Sequence, residues 1–420
     1  MTRAETGTAI FVCSNDTHVR IFDPVARELA ERHGLGSHLL SLDHSLDQGA
    51  GPAAAATGRS WEHLACPEPL RGPYWRDPAR RRVAKRRVAS KAFATLLASH
   101  KPAAVAVGHD ASVIEWPLVQ VARARGVAAI LVQDGIRSSF ERHQARPARW
   151  KSVAWAGLRK LGCLTTPPGL GYGHGSCDQI AVYGEALRRA LTEEGVSRDK
   201  IVVTGNPRFD ALARLSQAGV REELGLSQER LIAVLATQPF AQAGLLSEME
   251  EDELLHSVLE QYARLPTDMV LLLKLHPRES PEKYVRRLTE WKLRDRLRVL
   301  QDADSMKVVV AGDIVIGFHS TVILEALAAG RRVVVLDLLA RVETALGRVE
   351  NPYAAANLAP VVADVSQLAD AVAQAQAGGP WERNAAAFLE DQCFRIDGFS
   401  ARRVAGVIAE AARRTEGKTS

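Results

Sequence analysis

The stretch Gly312–Leu338 does most to limit the folds open to this chain. Asp313–Ile316 reads as a short buried strand, Gly317–Ser320 as a tight turn, and Thr321–Ala329 as a helix. Gly330 stops that helix, and the apolar, β-branched run Arg332–Leu336 reads as the next strand. Two strands joined through a helix form a βαβ unit, and a βαβ unit requires a parallel sheet. The turn brings Ser320 and Thr321 to a helix N-terminus, with Gly317 and His319 beside them. Unpaired N–H groups and the helix dipole make such an end a site for a phosphate. Glu325 follows one turn later on the same face, where a carboxylate can accept hydrogen bonds from ribose hydroxyls. The plainer reading makes Ser320 an N-cap and Glu325 a solvated helix residue.

The same alternation runs through the chain. Strands are expected at Thr8–Cys13, Ser37–Leu42, Ala103–Val107, Val127–Val132, Gln179–Tyr183 and Ile201–Thr204. Between them lie helices at Asp23–His33, Asp77–His100 and Ser112–Arg125. Asp47–Gly58, rich in Gly and Ala, reads as a loop. Phe140–Ser176 breaks the rhythm and reads as an insertion carrying Trp150 and Trp155. Ala211–Glu222 reads as the end of a first domain and a linker. A second series has strands at Leu231–Thr237, Met269–Leu275, Arg298–Leu300, Asp313–Ile316, Arg332–Leu336 and Pro360–Val362. Its helices are Glu248–Tyr262, Glu282–Trp291 and Val365–Ala375. An amphipathic helix, Ser400–Arg414, closes the chain. The fold class expected is α/β, with two Rossmann-like domains whose parallel sheets face one another across a cleft. The domain limits are 1–215 and 225–395, with a C-terminal helix over 396–420.

In open α/β sheets, ligands bind beyond the carboxyl ends of strands. Four strand ends carry candidate chemistry. Gly108-His109-Asp110 places a titratable pair after an apolar strand, although Asp110 also suits an N-cap for the next helix. Gln133-Asp134-Gly135 sets a carboxylate on a turn at the end of a buried strand, a suitable place for a general base. Asn206-Pro207-Arg208 follows Ile201–Thr204, and Arg208 can reach an anion. Lys274-Leu275-His276-Pro277-Arg278 ends the run Met269–Leu273, and His276 can donate to a phosphate oxygen. No Asp-x-Asp pair stands at a suitable strand end, so the sequence calls for no metal and no resident cofactor.

Charge and cysteine usage narrow the setting. Across 420 residues the formal charge of +5 is mild, so its placement matters more than its size. Six basic residues cluster at Arg80, Arg81, Arg82, Lys85, Arg86 and Arg87. That face, with Trp150 and Trp155, could serve an acceptor or rest on anionic lipid, or it could be a solvated helix. No aromatic-basic motif argues for nucleic acid. Five cysteines form no close pairs and no metal-ligand spacing, which favours a reducing compartment. No stretch approaches the ~20 apolar residues that span a bilayer. A cytoplasmic protein, in places peripheral to the inner membrane face, is the expectation.

Six ordered motifs carry a resemblance: GHD at 108–110, QDGIRS at 133–138, VTGNPRFDAL at 203–212, KLHP at 274–277, FHSTVILEALAAGRRVVVLD at 318–337 and DGFSARR at 397–403. Together they resemble the GT-B glycosyltransferase and UDP-N-acetylglucosamine 2-epimerase superfamily over nearly the whole chain. Within it, the QDG, HP and ST motifs are similar to those of bacterial sialyltransferases and polysialyltransferases, and CDP-glycerol transferases and Kdo transferases share the HP-type logic. Gln133 departs from the sialyltransferase pattern, where an acidic residue stands. Phe318-His319-Ser320-Thr321 and Ala236-Thr237-Gln238-Pro239 depart from the epimerase pattern.

The resemblance implies a GT-B fold whose C-terminal helix crosses back to the first domain. It implies an inverting, metal-independent glycosyltransferase of bacterial polysaccharide biosynthesis. The donor would be a CMP-, CDP- or UDP-linked sugar and the acceptor a glycan or lipid-linked glycan. Asp134, or else His109, would be the base, with His276 contacting the leaving phosphate. Ser320 and Thr321 would cradle the donor phosphate with His276; from their own positions at strand ends and turns, Asn206, Arg208, Thr237, Lys274, Pro277, Gly317, His319 and Glu325 are the further candidates for holding the donor nucleotide. The alternatives are a nucleotide-sugar 2-epimerase or hydrolase, and a nucleotide-sugar-binding protein without catalysis.

Overall fold

The computed structural model describes residues 7–46, 49–72, 77–136, 171–242, 245–276, 279–293, 296–339, 343–344, 347–348 and 351–419. Most of the expected insertion, with Trp150 and Trp155, lies outside them, as do Pro277 and Arg278. The chain forms two compact units. The first takes the described residues up to 136, then 171–211 and 392–419; the second takes those of 212–391.

The first unit holds a seven-stranded sheet in the order β3-β2-β1-β4-β5-β6-β7. Its strands are β1 (Gly7–Cys13), β2 (Leu35–Ser41), β3 (Ser60–His63), β4 (Ala104–Val107), β5 (Ala128–Val132), β6 (Gln179–Val182) and β7 (Ile201–Val203). Every pairing is parallel. Side chains alternate between the faces of a strand, so burial on both faces demands a continuous apolar run. In β1, Ala9, Phe11 and Cys13 pack into one core, and Ile10 and Val12 into the other. The first core receives the helices Asp16–His33 and Ser400–Thr419, and the second the helices Ala79–His100 and Glu115–Ala124.

The second unit holds a six-stranded parallel sheet in the order β10-β9-β8-β11-β12-β15. Its strands are β8 (Ile232–Ala236), β9 (Val270–Lys274), β10 (Arg298–Leu300), β11 (Ile314–Gly317), β12 (Arg332–Leu336) and β15 (Val361–Val362). A separate antiparallel pair joins β13 (Glu343–Thr344) to β14 (Gly347–Arg348). Both large sheets are doubly wound and Rossmann-like. In each, the chain builds outward from one strand, returns, and builds the other way. The return opens a crevice between β1 and β4 in the first unit and between β8 and β11 in the second.

Several local expectations need correction. The first helix begins at Asp16, not Asp23, and continues through Pro24. Asn15 caps it by accepting the His18 N–H at 3.1 Å. Asp47–Gly58 is not simply a loop, for it contains the helix Ala50–Ala56. That helix is capped from a distance: the Asp43 carboxylate accepts the N–H groups of Ala50 and Gly51 at 2.8 and 2.7 Å. The edge strand β3 escaped notice because Ser-Trp-Glu-His carries no apolar run. The Ala211–Glu222 stretch contains most of the helix Gln217–Glu223, pinned where Arg221 Nη2 meets Asp313 Oδ2 at 2.7 Å. The helices Ser305–Ala311 and Trp381–Cys393 were also not anticipated.

Candidate active site

The first crevice is built around His18, which sequence reading passed over. This imidazole is 1 % exposed and sits one turn into the helix that follows β1. Its Nδ1 accepts the Ser14 N–H at 3.1 Å. Nδ1 therefore carries no hydrogen, and Nε2–H is the donor. Nε2 lies 2.9 Å from Asp134 Oδ2, on the turn after β5. The Asp134 side chain is 29 % exposed, so a buried histidine orients a carboxylate that solvent or substrate can reach. Gln133 supports the same turn: its amide donates to Gly135 C=O at 2.8 Å and its carbonyl accepts the Tyr183 N–H at 2.6 Å.

A second buried carboxylate extends this network. Glu115, 3 % exposed, accepts from the hydroxyls of both Ser14 and Ser112. Ser14 thus joins the two halves, giving its N–H to His18 and its hydroxyl to Glu115. Gly108 makes the packing possible. A Cβ at this position would come within 2.3 Å of His18 Nε2. Gly108→Ala should push the ring off Asp134 and cost about 1–3 kcal/mol of stability through overpacking. Urea denaturation would measure the loss, and an unchanged midpoint would refute the packing argument.

His109 stands beside this network and does not join it. Its Nδ1 accepts the Ala111 N–H at 3.2 Å, and its ring meets Tyr172 edge-on at 5.3 Å between centroids. Asp110 is fully buried and accepts the N–H groups of Gly173 and Gly175 at 2.9 and 2.7 Å. Burial raises its carboxyl above the usual range. It clamps residues 173–175 rather than capping the next helix, which begins only at Glu115.

In the second unit, Ser320 caps the helix Thr321–Ala328 by accepting the Val322 N–H at 3.3 Å. Thr321 is exposed at the start of that helix. His319 is lowered from the ordinary histidine range by burial. It lines a small pocket with Phe240, Phe318, Leu336, Asp337 and Asn351. Thr237 and His276 come together after β8 and β9, where the His276 N–H donates to Thr237 Oγ1 at 3.0 Å. Glu279, which sequence reading did not single out, locks this turn. Its carboxylate accepts from the Thr237 and Tyr284 hydroxyls and from the His276 N–H. The His276 main chain is thereby fixed.

Other predicted residues have internal partners. Lys274 is 6 % exposed and donates to the carbonyls of Leu275 and Gln301 at 3.0 and 2.7 Å. Glu325 is 2 % exposed, with Ser305 Oγ 3.4 Å from Oε2, so it is not the solvated helix residue of the plainer reading. Asn206 is buried, and its Oδ1 accepts the Arg208 N–H at 3.0 Å. Both follow β7, the edge strand of the first sheet, and belong to the first unit. That turn docks the last helix. The Asp210 carboxylate accepts the N–H groups of Ser400 and Ala401, and Arg403 Nε donates to Thr204 C=O at 2.6 Å. Gly205 adopts φ +80°, and a Cβ there would come within 2.5 Å of Ser400 Oγ. The NPRFD and DGFSARR motifs, far apart in sequence, therefore describe one joint.

The basic helix is also partly turned inward. Lys85 is fully buried, with Nζ 2.7 Å from Asp77 Oδ2 and 2.9 Å from Gly72 C=O. Arg81 lies 2.9 Å from Asp77, Arg82 donates to the Asp77 carbonyl, and Arg86 stacks over Trp116 at 4.7 Å. Among the described residues, no helix is long and apolar enough to cross a membrane.

Comparison with known proteins places these features. No curated protein sequence matches the chain. Among solved structures, S. aureus MnaA in complex with UDP is similar at 14% identity and TM-score 0.61, with 95% of each chain covered. UDP-GlcNAc 2-epimerase from Neisseria meningitidis bound to UDP-GlcNAc gives 14% identity and TM-score 0.60, covering 97% of this chain and 100% of that one. The glycosyltransferase of kitacinnamycin gives 14% and 0.63, covering 96% and 99%. At this identity the likeness speaks to the fold, which epimerases and transferases share. The family described as UDP-N-acetylglucosamine 2-epimerase matches residues 176–409, more than half of the chain. This favours the epimerase alternative over the transferase reading and leaves the sialyltransferase, Kdo and CDP-glycerol assignment without support. With its Rossmann-like sheets and this match, the chain belongs to the UDP-N-acetylglucosamine 2-epimerase family and is a nucleotide-sugar-acting enzyme of the GT-B and epimerase superfamily.

Proposed function

We propose that the protein acts on a UDP-linked N-acetylhexosamine by breaking the bond between the sugar and its nucleotide, with inversion at C2 as the outcome. The observation that carries this reading is the family match over 176–409, which contains every strand of the second sheet. Ser320 and Thr321, at a helix N-terminus, serve the diphosphate, with Thr237, His276 and His319 beside the neighbouring strand ends. Asp134 is the base and His18 its positioning residue. A hydrogen on C2 is not acidic while the sugar stays intact. Its removal becomes accessible when the C1–O bond breaks in the same event. The C–H electron pair then forms the C1–C2 double bond, the C–O pair leaves with UDP, and the proton passes to the carboxylate; a proton delivered to C2 from the opposite face, with the double-bond pair forming that C–H bond and a UDP oxygen lone pair re-forming the C1–O bond, completes the inversion. Donors aimed at the departing phosphate lower that barrier because charge grows there in the transition state.

Transfer to an acceptor hydroxyl is the second reading. The His18–Asp134 pair is compatible with it, since an oriented carboxylate equally suits deprotonation of an alcohol. The departures at Phe318–Thr321 and Ala236–Pro239 from the epimerase motifs are what favour it.

Proton NMR of UDP-N-acetylglucosamine with enzyme in D₂O separates the two. Epimerisation should produce a second UDP-sugar anomeric signal and place solvent deuterium at C2, with no acceptor present. Consumption only after a glycan acceptor is added would establish transfer instead. No binding of UDP or UDP-sugar would remove both.

A further inference from the structure

His38, Glu62 and His100 bring two imidazoles and a carboxylate together on the second sheet position of the first unit, away from the strand ends that carry Asp134. His38 is in the middle of β2, opposite Ser60 of β3. Glu62 lies two residues further along β3, on the same face as Ser60. His100 is the last residue of the helix Ala79–His100, which packs on that face. One ligand atom from each residue lies within 4.8 Å of the other two. Glu62 Oε1 is 3.3 Å from His38 Nε2 and 3.6 Å from His100 Nε2.

The state of His38 is the second observation. Its side chain is 5 % exposed, and its enclosed Nε2 has only the contact with Glu62 Oε1 at 3.3 Å, which lacks hydrogen-bond geometry. A buried polar atom left unpaired is costly and calls for an explanation. Its other nitrogen, Nδ1, is 2.8 Å from Ser60 Oγ. When Nδ1–H donates to that oxygen, the Nε2 lone pair points into the cluster. A ligating histidine is commonly held this way, through its second ring nitrogen. The carbonyls at the helix C-terminus add negative potential beside His100, which favours a cation.

We propose that His38, Glu62 and His100 form a binding site for a divalent transition metal of the Zn²⁺ type. Two imidazoles and one carboxylate are a donor set that suits Zn²⁺, with water completing the tetrahedron. The ion ties the exposed edge strand β3 to the end of the helix that covers it. The site is structural and independent of the chemistry assigned to Asp134.

The test uses the full chain, freed of metal by a chelator and carrying no histidine tag. Calorimetric titration with Zn²⁺ should show one equivalent bound, and Co²⁺ as a probe should give the visible absorption of a low-symmetry nitrogen and oxygen site. His100→Ala and Glu62→Gln alter partly exposed side chains, so both variants should fold. Each should weaken binding roughly tenfold or more. Zn²⁺ should raise Tm in the unaltered protein and not in the variants. Absence of saturable binding, or equal binding by both variants, overturns the proposal.

Discussion

Asp134→Asn is expected to remove turnover of the UDP-sugar while leaving UDP binding intact. The substitution keeps the side chain's shape and removes its capacity to take a proton. A positioned general base contributes about 10²–10⁴-fold, so kcat should fall by that much. The Asp134 carboxylate is 29 % exposed and has one oxygen on His18, so a change of this kind leaves the core undisturbed. His18→Ala should have a smaller effect on kcat, since it loosens the base without deleting it, and should also cost stability because a fully enclosed ring is lost. Steady-state kinetics beside calorimetric UDP titration would read both. Full turnover by Asp134→Asn would sink the assignment of the base under either reaction. Loss of turnover together with loss of UDP binding would show that Asp134 holds the fold or the donor rather than moving a proton.

Asp210→Ala should be the most destabilising of the single changes considered, by about 4 kcal/mol. Two backbone N–H groups at the start of the helix Ser400–Thr419 donate to this carboxylate, at 2.9 and 2.7 Å, and the site is buried. Hydrogen bonds to a charged acceptor contribute about 1.5–3 kcal/mol each, and leaving buried donors unpaired costs comparably. The helix they anchor is no surface addition. Val404, Ala405 and Ile408 are completely buried, and they pack against the helix that carries His18. Urea denaturation should show the midpoint falling with little change in slope. Asp210→Asn, which retains one acceptor oxygen, should lose roughly half as much. A loss below about 0.5 kcal/mol for Asp210→Ala would mean that solvent replaces the cap.

Much of the architecture was legible because parallel sheets buried on both faces need unbroken apolar runs. The runs at β1, β4, β5, β8, β9, β11 and β12 have that character, and they sit within a residue or two of their expected places. β3 was not legible, since an edge strand of four residues with two exposed side chains needs no such run. The helix Ala50–Ala56 was missed for a different reason. Its N-terminal donors are satisfied by Asp43, seven and eight residues earlier, and no local cap marks its start.

The site divides along the same line. Sequence by itself determined which residues stand at strand ends: Asp134 after β5, His276 after β9, Ser320 before its helix. Backbone periodicity decides those positions, and periodicity is local. Only the tertiary structure decided which of them meet. His18 reaches Asp134 across 116 residues because β1 and β5 flank β4 in the sheet and Gly108 leaves room for the ring. Glu279 closes on Thr237 across 42 residues, and Asp210 on Ser400 across 190. Such contacts depend on strand order and on the space between side chains. No pattern along the chain carries either, so His18, Glu279 and Asp210 emerge only once the sheets are assembled.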